Sequence, residues 1–223
     1  MNVRAWISRL LLIAMVSLSV GLVAACGGED IREEATLIRL ADTGTGNQKI
    51  TNAVAKFILE VGYDHTVEVV TMSRSDMQAA LASGTIHLNM EIMHMEILSW
   101  YNDQVTSGNL FNLGTTYEAD PPVEKVVHGS LLTIDPDLVK MLRKFNIRPD
   151  RLEKTIAWVE ENDIQDTQMM AIFYLFNFNF EDGWKAWMPF TSAEPIRQEL
   201  TAITGLRASD RYRGQVRKVE EDE

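Results

Sequence analysis

The stretch Gln78-Ala-Ala-Leu-Ala-Ser-Gly-Thr-Ile-His-Leu-Asn-Met-Glu-Ile-Met93 changes its local structure at Gly84. A helix of small residues stops there, because a residue without Cβ suits the left-handed position just past a helix end. Thr85-Ile-His-Leu-Asn-Met then reads as a short, mostly apolar strand. A polar cluster follows at the carboxyl end of that strand: Glu91, His94 and Glu96, set among Ile92, Met93 and Met95. Open α/β sheets bind ligands at that end. The methionines Met90, Met93 and Met95 equally suit gap-filling in a core.

Upstream, Ala35-Thr-Leu-Ile-Arg-Leu-Ala41 is a first strand, followed by the turn-rich loop Asp42-Thr-Gly-Thr-Gly-Asn47. Gly44 and Gly46 make a G-x-G, but no third glycine and no Gly-Lys-Ser/Thr follows, so a nucleotide cradle has little support. A plain strand-to-helix turn and a backbone wall for a small solute both remain. A helix is expected from about Lys49 to Val61, with Ile50, Val54, Phe57, Ile58 and Val61 inward, Thr51, Asn52 and Lys56 outward, and Gly62 closing it. Val67-Glu-Val-Val-Thr71 is a second strand, and Ser73 with Asp76 caps the helix that ends on Gly84. The order strand, helix, strand, helix, strand makes a βαβαβ unit with parallel pairing. Trp100 and Tyr101 fall on a third helix, and Leu110-Phe-Asn-Leu-Gly114 is a further candidate strand.

The first 25 residues read as an export signal. Arg4 and Arg9 are its positive end, Leu10 to Val23 its apolar run, and Ala24-Ala25 place small residues before Cys26, the single cysteine. This resembles a bacterial lipobox, which makes Cys26 the acylated first residue, followed by a polar tether over 26–35. An ordinary cleaved signal or an anchor helix is the alternative. One cysteine allows no internal disulfide, so stability must come from a packed core. Losing Arg4 and Arg9 takes the formal charge from -11 to -13. So acidic a chain disfavours nucleic acid and anionic lipid headgroups, leaves membrane attachment to the lipid, and suits a cationic ligand.

Beyond residue 130 the pattern is helical. Asp135-Pro136 is a cap with proline at the first helical position, and Pro149-Asp150 starts another helix. Gln165 to Phe180 is apolar, too short to span a bilayer, and reads as a buried helix against which Trp184 and Trp187 close. Ala193 to Leu200 is a short helix, and 201–223 is a charged tail expected to be disordered from Arg207.

Several of these pieces together resemble the amino-terminal lobe of glycine betaine/proline-type substrate-binding proteins of ABC importers: Phe57-Ile-Leu-Glu-Val-Gly-Tyr63, Ala80-Leu-Ala-Ser-Gly-Thr-Ile86, Glu91-Ile-Met93 and Asn112-Leu-Gly114. Asp135-Pro-Asp-Leu, Ala157-Trp-Val-Glu-Glu-Asn162 and Trp184-Lys-Ala-Trp187 are similar to the carboxy-terminal helices of that family. The resemblance implies a periplasmic-binding-protein-like, type II-like α/β fold over 36–200, with a parallel-rich sheet and carboxy-terminal helices. The chain departs from the family at two places. Tyr117 to Ser130 bridges directly to the carboxy-terminal helices, so the second lobe is missing or reduced to this connection. Met93 stands where the family has a tryptophan, and His87 where it has an aspartate, which weakens a cage that holds quaternary ammonium through aromatic faces.

The resemblance therefore implies a solute-binding lipoprotein of an import system, at the outer face of the cytoplasmic membrane, partnered by an ABC permease and taking a small cationic or zwitterionic, betaine-like solute. The site residues expected are Thr43, Gly44 and Asn47 through the loop, Glu91 for charge, and Met93 with Trp100 as an apolar wall. No cofactor, metal or catalytic group is expected. There is no Gly-x-Ser-x-Gly elbow, Asp42 with Glu91 lacks a defined substrate, and His87, Glu91 and His94 share no period that would assemble a metal site. The alternative is a non-transporting accessory or interaction lipoprotein that keeps one lobe as scaffold.

Overall fold

A computed structural model describes residues 36–92, 97–178 and 183–205. Cys26, Met93, His94, Glu96 and the charged tail from Arg207 lie outside the described residues. Five strands form one sheet: β1 (Leu37–Asp42), β2 (Thr66–Thr71), β3 (Leu88–Ile92), β4 (Leu110–Tyr117) and β5 (Val123–His128), in the order β2-β1-β3-β5-β4. β1 runs parallel to β2 and β3, with Leu40 opposite both Val69 and Leu88. β5 runs antiparallel to β3 and β4, with Val127 opposite both Leu88 and Phe111. Parallel pairing thus holds for the βαβαβ unit, and the other half of the sheet is antiparallel.

Helix α1 (Gly46–Tyr63) joins β1 to β2, and α2 (Arg74–Ser83) joins β2 to β3. Because β2 and β3 lie on opposite sides of β1, the two crossovers go opposite ways and cover opposite faces. On one face Ile38, Leu40, Leu88 and Met90 pack with α1 and the carboxy-terminal helices. On the other, Ala41, Ile92 and Val126 pack with Met77 and Leu81 of α2 and with Tyr101 of α3 (Leu98–Thr106). Packing on both faces explains why β1 is mostly apolar, with Arg39 reaching the surface to pair with Glu68 of the edge strand β2.

Local chemistry sets the helix ends. Thr45 caps α1, its Oγ1 accepting from the Gln48 amide at 3.1 Å. Ser73 caps α2 by accepting from the Asp76 amide and donating to the Asp76 carboxylate. Gly84 ends α2 at φ 74°, and a Cβ there would meet the His128 ring at 2.7 Å, so both the backbone and the neighbouring strand demand glycine. Gly62, expected to close α1, lies inside it. The helix runs one residue further and ends on Asp64 at φ 56°. Gly62 instead allows close approach, since a Cβ would fall 2.8 Å from Ile196 Cδ1.

After β5 come α4 (Leu131–Ile134), α5 (Pro136–Lys144), α6 (Pro149–Glu161), α7 (Thr167–Phe178), a 3₁₀ turn over Trp184–Trp187, and α8 (Phe190–Thr204). Asp135 caps α5 through two amide hydrogen bonds from Asp137 and Leu138, with Pro136 at its start. Trp184 is fully buried with Tyr174 and Phe145, and Trp187 tilts onto Phe145 at 4.6 Å. The last helix exceeds the expected 193–200 at both ends.

Two readings of the sequence need correction. Val123 to His128 is a strand in the sheet interior, where a plain connection was expected. Thr51 and Asn52 are buried, although the apolar period of α1 places them outward. The polar edge of α1, carrying Gln48, Thr51 and Asn52, packs onto the carboxyl ends of β1 and β3 and pairs with backbone and side-chain groups there.

Candidate functional site

The chain turns one way out of β1 and the other way into β3, which opens a crevice at their carboxyl ends. A cavity of about 210 Å³ occupies it. Thr43, Thr45 and Asn47 line it from the β1–α1 loop and first helical turn, Arg74 and Met77 from α2, and Glu91 and Ile92 from β3. Ile97, Tyr117 and Val123 complete the lining. The β3 register shifts between Asn89 and Ile92. This irregularity re-aims the strand end: Ile92 joins the α2 face while Glu91 turns to α1.

Glu91 is the chemical centre. Its Oε2 accepts from Thr45 Oγ1 at 3.1 Å and its Oε1 from Thr51 Oγ1 at 3.2 Å. Burial pushes its carboxyl up to about 7, the hydrogen bonds from Thr45, Thr51 and Tyr117 pull the other way, and the negative charge of Asp42 adds to the rise. Burial likewise lifts the Tyr117 phenol to about 12. Its oxygen accepts from Asn47 Nδ2 at 3.1 Å, which orients the O–H toward Glu91.

Behind the cavity lies a buried amide layer. Gln48 Nε2 donates to Asn89 Oδ1 at 2.8 Å, and that oxygen also accepts from the Glu91 amide at 2.9 Å. Asn52 donates to the Ala41 carbonyl at 2.9 Å. The layer fixes the backbone of Glu91 from behind, so its carboxyl is held in place before any solute arrives.

Of the residues expected from sequence, Thr43, Asn47 and Glu91 line the cavity together. Gly44 does not line it: its amide donates to Asp42 Oδ1 at 2.8 Å, and the Thr43 amide donates to Gln48 Oε1 at 2.7 Å. The loop therefore offers side chains to the cavity, with those two amides already engaged. Trp100 sits on α3, half-buried against the α2-side core, and is not part of the lining. His87 lies at the other end of β3, its Nδ1 accepting from the Arg39 amide at 3.0 Å, so it does not meet Glu91. Among the described residues no group of three or more His, Cys, Asp or Glu side chains could hold a metal ion.

Sequence reasoning missed Thr51, Arg74 and Tyr117, and took in Thr45 only as part of the loop Thr43 to Asn47 expected to act through its backbone, whereas its hydroxyl meets Glu91. Thr45 carried a signal, because a threonine three residues before Gln48 is a helix cap facing the same loop. Tyr117 carried none, since its place depends on β4 extending past Gly114.

Neither a family model nor a curated protein matches the sequence. Solved structures do match the fold. The chain is similar to a glycine betaine/L-proline-binding protein (ProX) of an ABC transporter from Borrelia burgdorferi, with TM-score 0.62 and 12% identity over 72% of this chain and 100% of that one. It is similar to an ABC-transporter choline-binding protein in complex with choline, at TM-score 0.63 and 9% identity over 74% of this chain and 98% of that one. Lactococcal OpuAC, complexed with glycine betaine, matches at TM-score 0.56 and 9% identity over 69% of this chain and 100% of that one. The architecture is thus that of the substrate-binding proteins of ABC transporters. It is present here as one lobe among the described residues, built on one sheet. At 9–12% identity the likeness is one of fold. No helix of the described residues is long and apolar enough to cross a membrane.

Proposed function

We propose that the chain is the solute-binding lobe of an ABC-type import system for a small cationic or zwitterionic, ammonium-bearing solute. It is exported, tethered by a lipid on Cys26 to the outer face of the cytoplasmic membrane, and hands its solute to a permease. The observation that carries this reading is the placement of Glu91: a recessed carboxyl at the β1/β3 crevice of a substrate-binding fold, in a cavity of about 210 Å³. That volume is about seven water molecules' worth, the scale of a small solute. Binding is passive, with no bond made or broken.

The cavity opens to solvent, and one lobe has no hinge to exclude water, so affinity for free solute is low until a partner covers it. This open side also favours the second reading, an accessory lipoprotein whose lobe serves as a docking scaffold. Calorimetry of the full chain in detergent against glycine betaine, choline, carnitine and proline at pH 8 separates the two. Saturable heat that disappears in Glu91→Ala is expected. Absence of heat across the series, from a sample that unfolds cooperatively, would remove the solute-binding reading and leave the scaffold. Cys26→Ser is expected to abolish acylation, read by the mass of the amino-terminal peptide.

A further inference from the structure

Resting on the binding reading above, we propose that this cavity selects an ammonium group that still carries N–H bonds, a primary or secondary amine, over a quaternary one. A quaternary ammonium has no hydrogen-bond donor and is held chiefly by the faces of aromatic rings. Among the described residues the lining supplies one aromatic ring, Tyr117, whose hydroxyl is tied to Asn47 at 3.1 Å. Trp100 stands outside the lining, and residues 93–96 read Met-His-Met-Glu, with no Phe, Tyr or Trp. What the cavity does supply is acceptors. A carboxylate has about four lone-pair sites. Thr45, Thr51 and the Tyr117 hydroxyl occupy three of those of Glu91, which leaves a position for an N–H donor. An amine with N–H bonds satisfies this position. A trimethylated one leaves it unpaired and covers the opening through which water would otherwise reach it, which is the costly case for a polar group.

The opposite wall completes the match. Arg74, in the first turn of α2, lines the same cavity. A zwitterion can therefore lie with its ammonium at Glu91 and its carboxylate toward the guanidinium.

A proton accompanies the solute. The charged and titratable groups around Glu91 among the described residues are Asp42 at the end of β1, Arg74 on α2 and Tyr117 on β4, while α1 presents the neutral Thr45 and Thr51. Burial holds the Glu91 carboxyl near 7, so much of it is protonated at rest, and a bound ammonium requires the carboxylate. Binding then expels that proton, and affinity rises with pH through neutrality, about tenfold between pH 6 and pH 8.

The test is an N-methylation series on one skeleton: glycine, N-methylglycine, N,N-dimethylglycine and trimethylglycine, titrated calorimetrically into the full chain at pH 6, 7 and 8 in buffers of different ionisation enthalpy. Affinity is expected to fall along the series, by about tenfold or more from N-methylglycine to trimethylglycine. Proton release at pH 6 is expected to vanish in Glu91→Gln. Thr51→Val, which removes one donor to the carboxylate, is expected to shift the pH midpoint upward and keeps the test open where Glu91→Gln fails to fold. Trimethylglycine binding as tightly as N-methylglycine would overturn this selectivity and leave the solute-binding reading standing. No binding of any member at pH 8 would overturn both.

Discussion

Two side chains of opposite charge on the same sheet, Glu91 half-buried and Lys125 fully buried, show what makes a site. Glu91 on β3 and Lys125 on β5 are both shifted toward their neutral forms, the carboxyl up to about 7 and the ammonium down to about 8, in each case mainly by burial. Their surroundings differ. Lys125 is 0% exposed and its Nζ donates to the carbonyls of Thr115 at 2.6 Å and Gly114 at 3.3 Å, where the β4 register slips past β5. Those carbonyls belong to the fold and cannot turn away. Glu91 is met by hydroxyls, which rotate, and by a cavity, which a solute can enter. Burial alone therefore marks a perturbed group, and the opening beside it marks a binding one.

Exchanging the charges is the strongest way to break this distinction. Lys125→Glu sets a carboxylate against two carbonyl oxygens with no room to relax, and a loss on the order of 3–5 kcal/mol is expected. That is a large share of the stability of a typical domain. Glu91→Lys points an ammonium into the cavity, where water can reach it, and is expected to lose less than about 2 kcal/mol. Urea unfolding followed by tryptophan fluorescence measures both. Equal losses would mean that Glu91 is as sealed as Lys125 and has no ligand to meet.

The pH dependence of stability sharpens the same contrast. The folded state holds the Glu91 proton more tightly than the unfolded chain, so its contribution is full below pH 4.5 and is lost as pH rises through about 7. Lys125 is held more weakly protonated in the fold, so its contribution is full above pH 10.5 and is lost as pH falls through about 8. Together they produce a trough between about pH 7 and 8, each arm about 3 kcal/mol deep. Glu91→Gln is expected to flatten the acid arm and Lys125→Met the alkaline arm. Solute, which binds the Glu91 carboxylate, should raise stability from about pH 7 upward and little on the acid arm.

Lys125 also explains where the sequence misleads. The first strands are legible because parallel strands packed against helices are mostly apolar, as Leu37 to Ala41 and Val67 to Val70 are apart from Arg39 and Glu68, which pair with each other at the surface. β5 is likewise an interior strand, yet Val123-Glu-Lys-Val-Val-His128 carries a lysine at a buried position, and no periodicity survives that substitution. Its partner is backbone, and backbone carbonyls leave no trace in a sequence. The site divides in the same way. Glu91 is readable as an acid at a strand's carboxyl end. Thr51 is not, because the apolar period of α1 assigns it outward and only the turned end of β3 brings the carboxyl to it.

The smallest effect concerns how far the open cleft is arranged in advance. Asn47 spends its amide on the Tyr117 hydroxyl, not on Glu91, so it acts on the carboxyl only through the phenol. Asn47→Ala leaves Thr45 and Thr51 in place, and stability is expected to change by no more than about 1 kcal/mol. The tyrosine hydroxyl, no longer oriented, donates to Glu91 less of the time, and solute affinity is expected to fall about threefold. Tyr117→Phe removes that donor outright. The hydrogen bond it removes lowers the Glu91 carboxyl, so the pH midpoint of binding should move upward while the packing of the ring is kept. A phenylalanine variant with an unmoved midpoint would reduce Tyr117 to a wall of the cavity. The contrast with Lys125 would then rest on the two threonines alone.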